Sequence, residues 1–255
     1  MLRKVFLWGI NAAVVLSLYL QLFPIAFSAI ETQKAWTNFA YYLTQSGGTI
    51  GTFIGIIIAC YLYTINEIGI RNKALVFGKA LLGLALVIAT FAAINENFTK
   101  PLLKLQRPSH VYMLNQLKSS NIIDSLYSLS KDERIAFFGS KIKEQPTLFT
   151  QIDPAVLNHW VAEGGYSFPS GHTFNAFLLA MIFSFGILQN SHSKQWQKFY
   201  FLPFIWAIGI GISRVALGAH SILDVSAGAL LGVFIGAALL YIDFTRHLIT
   251  HKKQE

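Results

Sequence analysis

The sequence predicts an all-α integral membrane protein: six transmembrane helices with a small helical lid between the third and fourth. Three observations carry that expectation. Hydrophobic residues make up 54% of the 255-residue chain and charged residues only 13%, too few charges to cover a soluble domain. The apolar residues fall into six long runs, near 5–30, 49–65, 74–94, 172–189, 199–213 and 225–242. Each run is continuously apolar, which suits a helix that satisfies its own backbone in lipid and not the alternating strands of a barrel.

The first run has Arg3 and Lys4 before it and Ala26-Phe27-Ser28 near its end, the outline of a secretory signal. Its length argues otherwise. A signal core is about 7–15 residues, whereas this run matches the roughly 20 residues that cross a bilayer. It reads as a retained helix. The second run holds the single cysteine, Cys60, a small hydrophobe with no intramolecular disulfide partner. Lys79 lies near the start of the third run, from where its long side chain can reach the interface.

The net charge of +8 and pI near 9.5 are spread between the apolar runs and form no stripe, so they point to membrane topology and not to nucleic acid. With six spans, Arg3, Lys4, Arg71, Lys73, Lys194, Lys198, Arg246, Lys252 and Lys253 fall on one side. That side is the cytoplasm by the positive-inside rule, and both termini lie there. The opposite short loop, 31–48, carries only Lys34. The long polar stretch after the third run belongs outside, since long loops translocate largely regardless of charge. Within it, Asp153 reads as an N-cap, Pro154 as the first helical residue and Gly164 as the stop. Residues 109–168 are therefore expected to form a folded lid within a single domain spanning 1–255.

Span parity gathers Lys100, Arg107, Ser170, His172, Arg214, His220 and Asp224 at the outer face. Such a set suits phosphoryl transfer, which needs a nucleophile and strong stabilisation of spread negative charge. Lys100, Arg107 and Arg214 supply fixed cations, the arginines with a planar fork that matches phosphate. Ser170 and Gly171 open the fourth helix, where backbone N–H groups and the helix dipole can face an anion. His220 and Asp224 are four apart at the start of a helix, hence on one face. The carboxylate fixes one imidazole nitrogen and leaves the other to attack. His172 is the available proton donor for the departing oxygen.

The runs Lys100-x6-Arg107-Pro108, Pro169-Ser170-Gly171-His172 and Ser213-Arg214-x5-His220-x3-Asp224 resemble the three-part signature of the type 2 phosphatidic acid phosphatase superfamily. His159-Trp160-x2-Glu163-x-Gly165-x2-Phe168, directly upstream of the second part, is similar to its bacterial phosphatidylglycerophosphatase branch. The resemblance implies a bacterial inner-membrane lipid phosphatase using neither metal nor cofactor. His220 would form a phosphohistidine, Asp224 would orient it and His172 would protonate the leaving alcohol. Lys100, Arg107, Ser170, Gly171 and Arg214 would hold the phosphoryl oxygens. The partner is a lipid phosphate from the bilayer: phosphatidylglycerophosphate first, then undecaprenyl pyrophosphate, phosphatidate and lysophosphatidate.

Other readings fit less well. A transporter should carry ionisable groups at mid-bilayer, whereas these runs are almost uncharged at their centres. A lipase-type serine needs a Gly-x-Ser-x-Gly turn, which Ser170 lacks. A metal bound by His172, His220, Asp224 and Glu163 would be repelled by the three neighbouring cations.

Overall fold

A computed structural model describes residues 1–25, 34–190 and 194–242. The described residues form an all-helical membrane protein. Its elements are α1 (Leu2–Leu22), α2 (Lys34–Ser46), α3 (Thr49–Thr64), α4 (Ile70–Ile94) and α5 (Lys100–Leu103), the last continuing α4 through a π turn at Asn95–Thr99. The insertion follows as α6 (Pro108–Gln116), α7 (Ile123–Ser128), α8 (Lys131–Glu144) and α9 (Pro154–Ala162). The chain then forms α10 (Gly171–Asn190), α11 (Lys194–Gln197), α12 (Leu202–Ala216) and α13 (Ile222–Tyr241).

Among the described residues, five helical stretches are long and apolar enough to cross a membrane: Leu2–Leu22, Ile70–Leu103, Gly171–Gln189, Lys194–Ala216 and Ile222–Tyr241. The expected second span, α3, has only 16 residues. It reaches crossing length only together with α2, from which it is bent by 51°. This corrects the expectation that 31–48 is a loop. Thr37, Ala40 and Thr44 are buried in α2, at the i, i+3, i+7 spacing of one helical face. That face is too polar to stand out as an apolar run, yet it packs on α12. The bend falls at Gly47 and Gly48. A Cβ on Gly47 would come within 2.9 Å of the Ile210 side chain, so a larger residue would push Ile210 aside where the junction seats against α12. The first helix was expected to reach residue 30 but ends at Leu22, one residue before Phe23-Pro24; positions 26–30 lie outside the described residues, as do Arg246, Lys252 and Lys253. The third span runs past its expected end at 94 to Leu103.

α10 is the central helix and packs on α13, α12, α3 and α1. Its contact with α13 is the closest, because Gly228, Gly232 and Gly236 line up every four residues. A Cβ on Gly228 would lie 2.5 Å from the Ser170 carbonyl oxygen, and one on Gly232 2.6 Å from that of Phe174. Small residues let backbones touch where lipid gives helices no hydrophobic reason to associate. One consequence reaches the site: the Ser170 N–H donates to the Asp224 carbonyl at 3.0 Å, tying the start of α10 to the start of α13.

The insertion has its own apolar core of Met113, Leu114, Leu126, Phe138, Val156 and Trp160, which Leu217 joins from the turn between α12 and α13. Trp160 Nε1 donates to the Leu217 carbonyl at 2.7 Å, and the Ser109 N–H to that of Gly218 at 2.8 Å. Local sequence sets the helix starts. Asp153 accepts from the Ala155 N–H ahead of Pro154, and Ser130 with Glu133 forms a reciprocal cap on α8.

Candidate active site

A cavity of about 580 Å³ opens where α5, α10 and the α12–α13 turn meet the insertion. Glu96, Lys100, Arg107, His159, Glu163, Gly171, His172 and His220 line it. Arg214 and Asp224 lie directly behind this lining, both fully buried.

His220 stands between two partners. Its Nδ1 is 3.6 Å from Asp224 Oδ2, an ion-pair contact too long for a formed hydrogen bond. Among the described residues, neither His220 Nδ1 nor Asp224 Oδ1 has another hydrogen-bond partner, and such pairs tighten when substrate loads the site. Its Nε2 is 3.4 Å from Arg107 Nη1. A guanidinium only donates, so the Nε2 lone pair faces Arg107 at the cavity wall and Nδ1 carries the proton towards Asp224. Burial, with Arg107 and Arg214 close by, pushes the His220 pKa below its ordinary value against the opposing pull of Asp224. The imidazole is therefore neutral near pH 7, as a nucleophile requires. Asp224 is fixed by local sequence. Its carboxylate accepts the Ser221 N–H at 2.7 Å while its own N–H donates to Ser221 Oγ, a cap on α13.

Arg107 and Arg214 converge on one carboxylate. Glu163 Oε2 lies 3.1 Å from Arg107 Nη1, and Oε1 accepts from Arg214 Nη2. Burial alone would raise the Glu163 pKa, but the two guanidiniums hold it well below the usual carboxylate range, so Glu163 is ionised. Two buried arginines gripping two oxygens of one anion is the arrangement that a phosphoryl group requires. Arg107 is held in place by donating to the carbonyls of Gly165, Ala219 and Gly164 at 3.1, 2.9 and 3.1 Å. Arg214 Nη1 donates to Thr44 Oγ1 at 3.2 Å and lies 3.0 Å from His159 Nε2. Burial and then Arg214 lower the His159 pKa to about 4; the ring is neutral and Nε2 accepts from the arginine.

Lys100 is buried and paired with Glu96 one helical turn away. Gly171 and His172 open α10 at the cavity wall. A Cβ on Gly48 would come within 3.3 Å of His172 Nε2, so the glycine bend of α2–α3 closes that side. Ser170 lies behind the lining. Its N–H is taken by the Asp224 carbonyl, and its Oγ lies 3.0 Å from Thr173 Oγ1. It joins two helices and caps α10, and the cavity lining begins with Gly171.

Several residues here were not assigned by sequence reasoning. Glu163 was considered only within a motif run and as a disfavoured metal ligand, and Thr44 sat in an expected loop. Tyr127 Oη accepts the Arg107 backbone N–H at 2.9 Å and lies 3.1 Å from His110 Nδ1; His110 Nε2 is 3.0 Å from the Trp160 carbonyl. A carbonyl only accepts, so Nε2 carries the proton and Nδ1 takes the Tyr127 hydroxyl. This chain supports Arg107 from behind. Lys131 and Arg134 of α8 also line the cavity. A helix of low hydrophobicity inside the insertion, outside the three motif runs, gave no signal that its cations face a site.

Comparison with known proteins places the chain in a family. The chain is 30% identical over 203 residues to phosphatidylglycerophosphatase B of Haemophilus influenzae, covering 78% of each chain. It is 32% identical over 113 residues to phosphatidylglycerophosphatase B of Escherichia coli K12, covering 43% of this chain and 40% of that one. It is also 37% identical over 87 residues to a dihydrosphingosine 1-phosphate phosphatase of Schizosaccharomyces pombe, covering 32% of this chain and 21% of that one. The PAP2 superfamily model matches residues 80–248, a stretch that holds every member of the arginine clamp and the His220–Asp224 pair, and the chain belongs to the PAP2 superfamily.

Proposed function

We propose that this chain hydrolyses phosphatidylglycerophosphate to phosphatidylglycerol and phosphate, through a phosphohistidine on His220. The observation that carries this reading is the pair of buried arginines closing on one anion beside Nε2 of His220, which Arg107 Nη1 approaches to 3.4 Å. In the free enzyme Glu163 is that anion. A substrate phosphoryl group takes its place between Arg107 and Arg214, with Lys100 and the start of α10 at Gly171 adding positive potential. His220 Nε2 attacks phosphorus, the N–P bond forms, the P–O bond to the alcohol breaks, and His172 gives its proton to the leaving oxygen. Asp224 balances the charge that grows on the imidazole. Water then attacks phosphorus, surrenders a proton to His172, and the P–N bond breaks to release phosphate.

The fixed cations supply the charge stabilisation that a metal would otherwise provide, so the reaction needs no cofactor. The setting that fits is a bacterial inner membrane with cytoplasmic termini, residues 109–168 as a lid outside, and the cavity open to the outer leaflet. Acyl chains stay in lipid, so binding energy is concentrated on the head group. Related lipids, undecaprenyl pyrophosphate, phosphatidate and lysophosphatidate, are secondary substrates. The test is phosphate release by purified enzyme from these four lipids, with vanadate or chelator added. Phosphatidylglycerophosphate should be turned over fastest, vanadate should inhibit and chelator should not. Release confined to undecaprenyl pyrophosphate, or chelator inhibition reversed by magnesium, would overturn the respective part.

A further inference from the structure

The cavity does not end at the arginine clamp. It continues to α8, where Lys131 and Arg134 line it, and neither belongs to the phosphatase motifs. Arg134 is 7% exposed, yet among the described residues no carboxylate lies within the 4.0 Å of an ion pair. Its Nη1 donates to the Leu129 carbonyl and its Nε has no partner. The nearby acids are committed elsewhere: Glu133 accepts from the Ser130 N–H and Oγ in the α8 cap at 2.8 and 2.7 Å, and Glu96 holds Lys100. A buried guanidinium with spare donors and no counter-ion is an anion site in waiting. Burial, the largest effect, and Arg107 disfavour its charge against the pull of Tyr127 and Glu96, and a bound anion adds to that pull.

The spacing says which anion. Gly164 separates the two cation groups: its carbonyl accepts from Arg107 Nη2 at 3.1 Å, while a Cβ on its Cα would lie 3.2 Å from Arg134 Nη2 and 4.0 Å from Lys131 Cδ. Lys131 and Arg134 are three residues apart on one helix, hence on one face. One residue of backbone thus divides the clamp from a second pair of cations. This is the scale of two phosphates in one head group, joined directly or through a short polyol.

Building on the phosphatase reading, we propose that Lys131 and Arg134 bind a second phosphate adjacent to the one cleaved, and select lipids that carry two phosphate groups over phosphatidate, which carries one. Arg134 holds it with its planar fork, and the exposed Lys131 adds a point charge at the mouth.

The test compares wild type, Lys131→Gln, Arg134→Lys and the double variant Lys131→Gln/Arg134→Gln. Each is assayed on phosphatidylglycerophosphate, a polyprenyl pyrophosphate and phosphatidate. The double variant should lose roughly tenfold more kcat/KM on the two-phosphate lipids than on phosphatidate, mostly through KM. Arg134→Lys should recover part of that preference, and Lys131→Gln, altered only at an exposed side chain, should lose about threefold of it. Proportional losses on all three lipids, as a damaged fold would give, overturn the subsite, and so does an unchanged preference. Wild-type enzyme inactive on every lipid would instead overturn the phosphatase reading itself.

Discussion

Two buried histidines on opposite sides of Arg107 differ in how fully their hydrogen bonds are met. His110, within the insertion, has both nitrogens engaged, one by Tyr127 and one by the Trp160 carbonyl. His220, at the end of the membrane bundle, faces a 3.6 Å gap to Asp224 on one side and the cavity on the other. Among the described residues, Arg214 Nε and Asp224 Oδ1 beside it also lack partners. Buried polar groups are normally satisfied, so the satisfied network marks structure and the unsatisfied one marks chemistry. The lesson extends to Arg134, whose spare Nε places it with the second group although it sits in the insertion.

Substitutions can break this contrast. The largest effect is expected from His220→Ala, a loss of roughly 10⁴-fold in kcat with the enzyme still folded. Asp224→Asn should lower kcat by about a hundredfold or more while KM changes little, because the carboxylate orients and balances the nucleophile without touching substrate. A rise in KM alone would reassign Asp224 to binding. Steady-state kinetics on phosphatidylglycerophosphate measures both.

Glu163 tests the clamp in the other direction. Its carboxylate occupies the arginines in the free enzyme and so competes with phosphate for them. Glu163→Gln should tighten inhibition by inorganic phosphate about tenfold, since the neutral amide gives up the pair without a charge penalty. Weaker phosphate inhibition would mean that the carboxylate organises the clamp instead of competing for it.

The smallest effect concerns His110. Burial lowers its pKa to about 4, from an ordinary value near 6.5. Between those values the unfolded chain binds a proton that the folded insertion refuses. Stability is therefore complete above about pH 6.5 and falls as the pH drops towards 4. From pH 7 to 5 the loss at this site is about 2 kcal/mol. Thermal melting should show the wild type losing more than His110→Gln over that interval, because glutamine makes similar hydrogen bonds and takes up no proton. Parallel losses in the two proteins would remove His110 from the account.

The sequence carried the bundle because five of the six apolar runs fold as long apolar helices, and uninterrupted apolar length is a local property. It hid α2, whose buried face is threonine and alanine and shows its purpose only against α12. Lys100, Arg107, His172, Arg214, His220 and Asp224 were legible as a set because span parity delivers helix ends to one layer. Ser170 was legible as a helix start, but not that its N–H goes to Asp224, since that depends on the glycine stripe drawing α13 onto α10. Glu163, Tyr127 and Arg134 depend on how the insertion docks over the cavity. No short-range pattern encodes that docking, so their roles emerged only from the packed chain.

The central claim is that Nε2 of His220 attacks phosphorus held between Arg107 and Arg214. Its most direct test is to mix enzyme with lipid bearing a radiolabelled terminal phosphate, quench within the first turnover under alkaline denaturing conditions, and map the label to a peptide. The account predicts acid-labile, alkali-stable phosphate on the peptide carrying His220, and none there in His220→Ala. Label on His172 or Ser170 instead would contradict it.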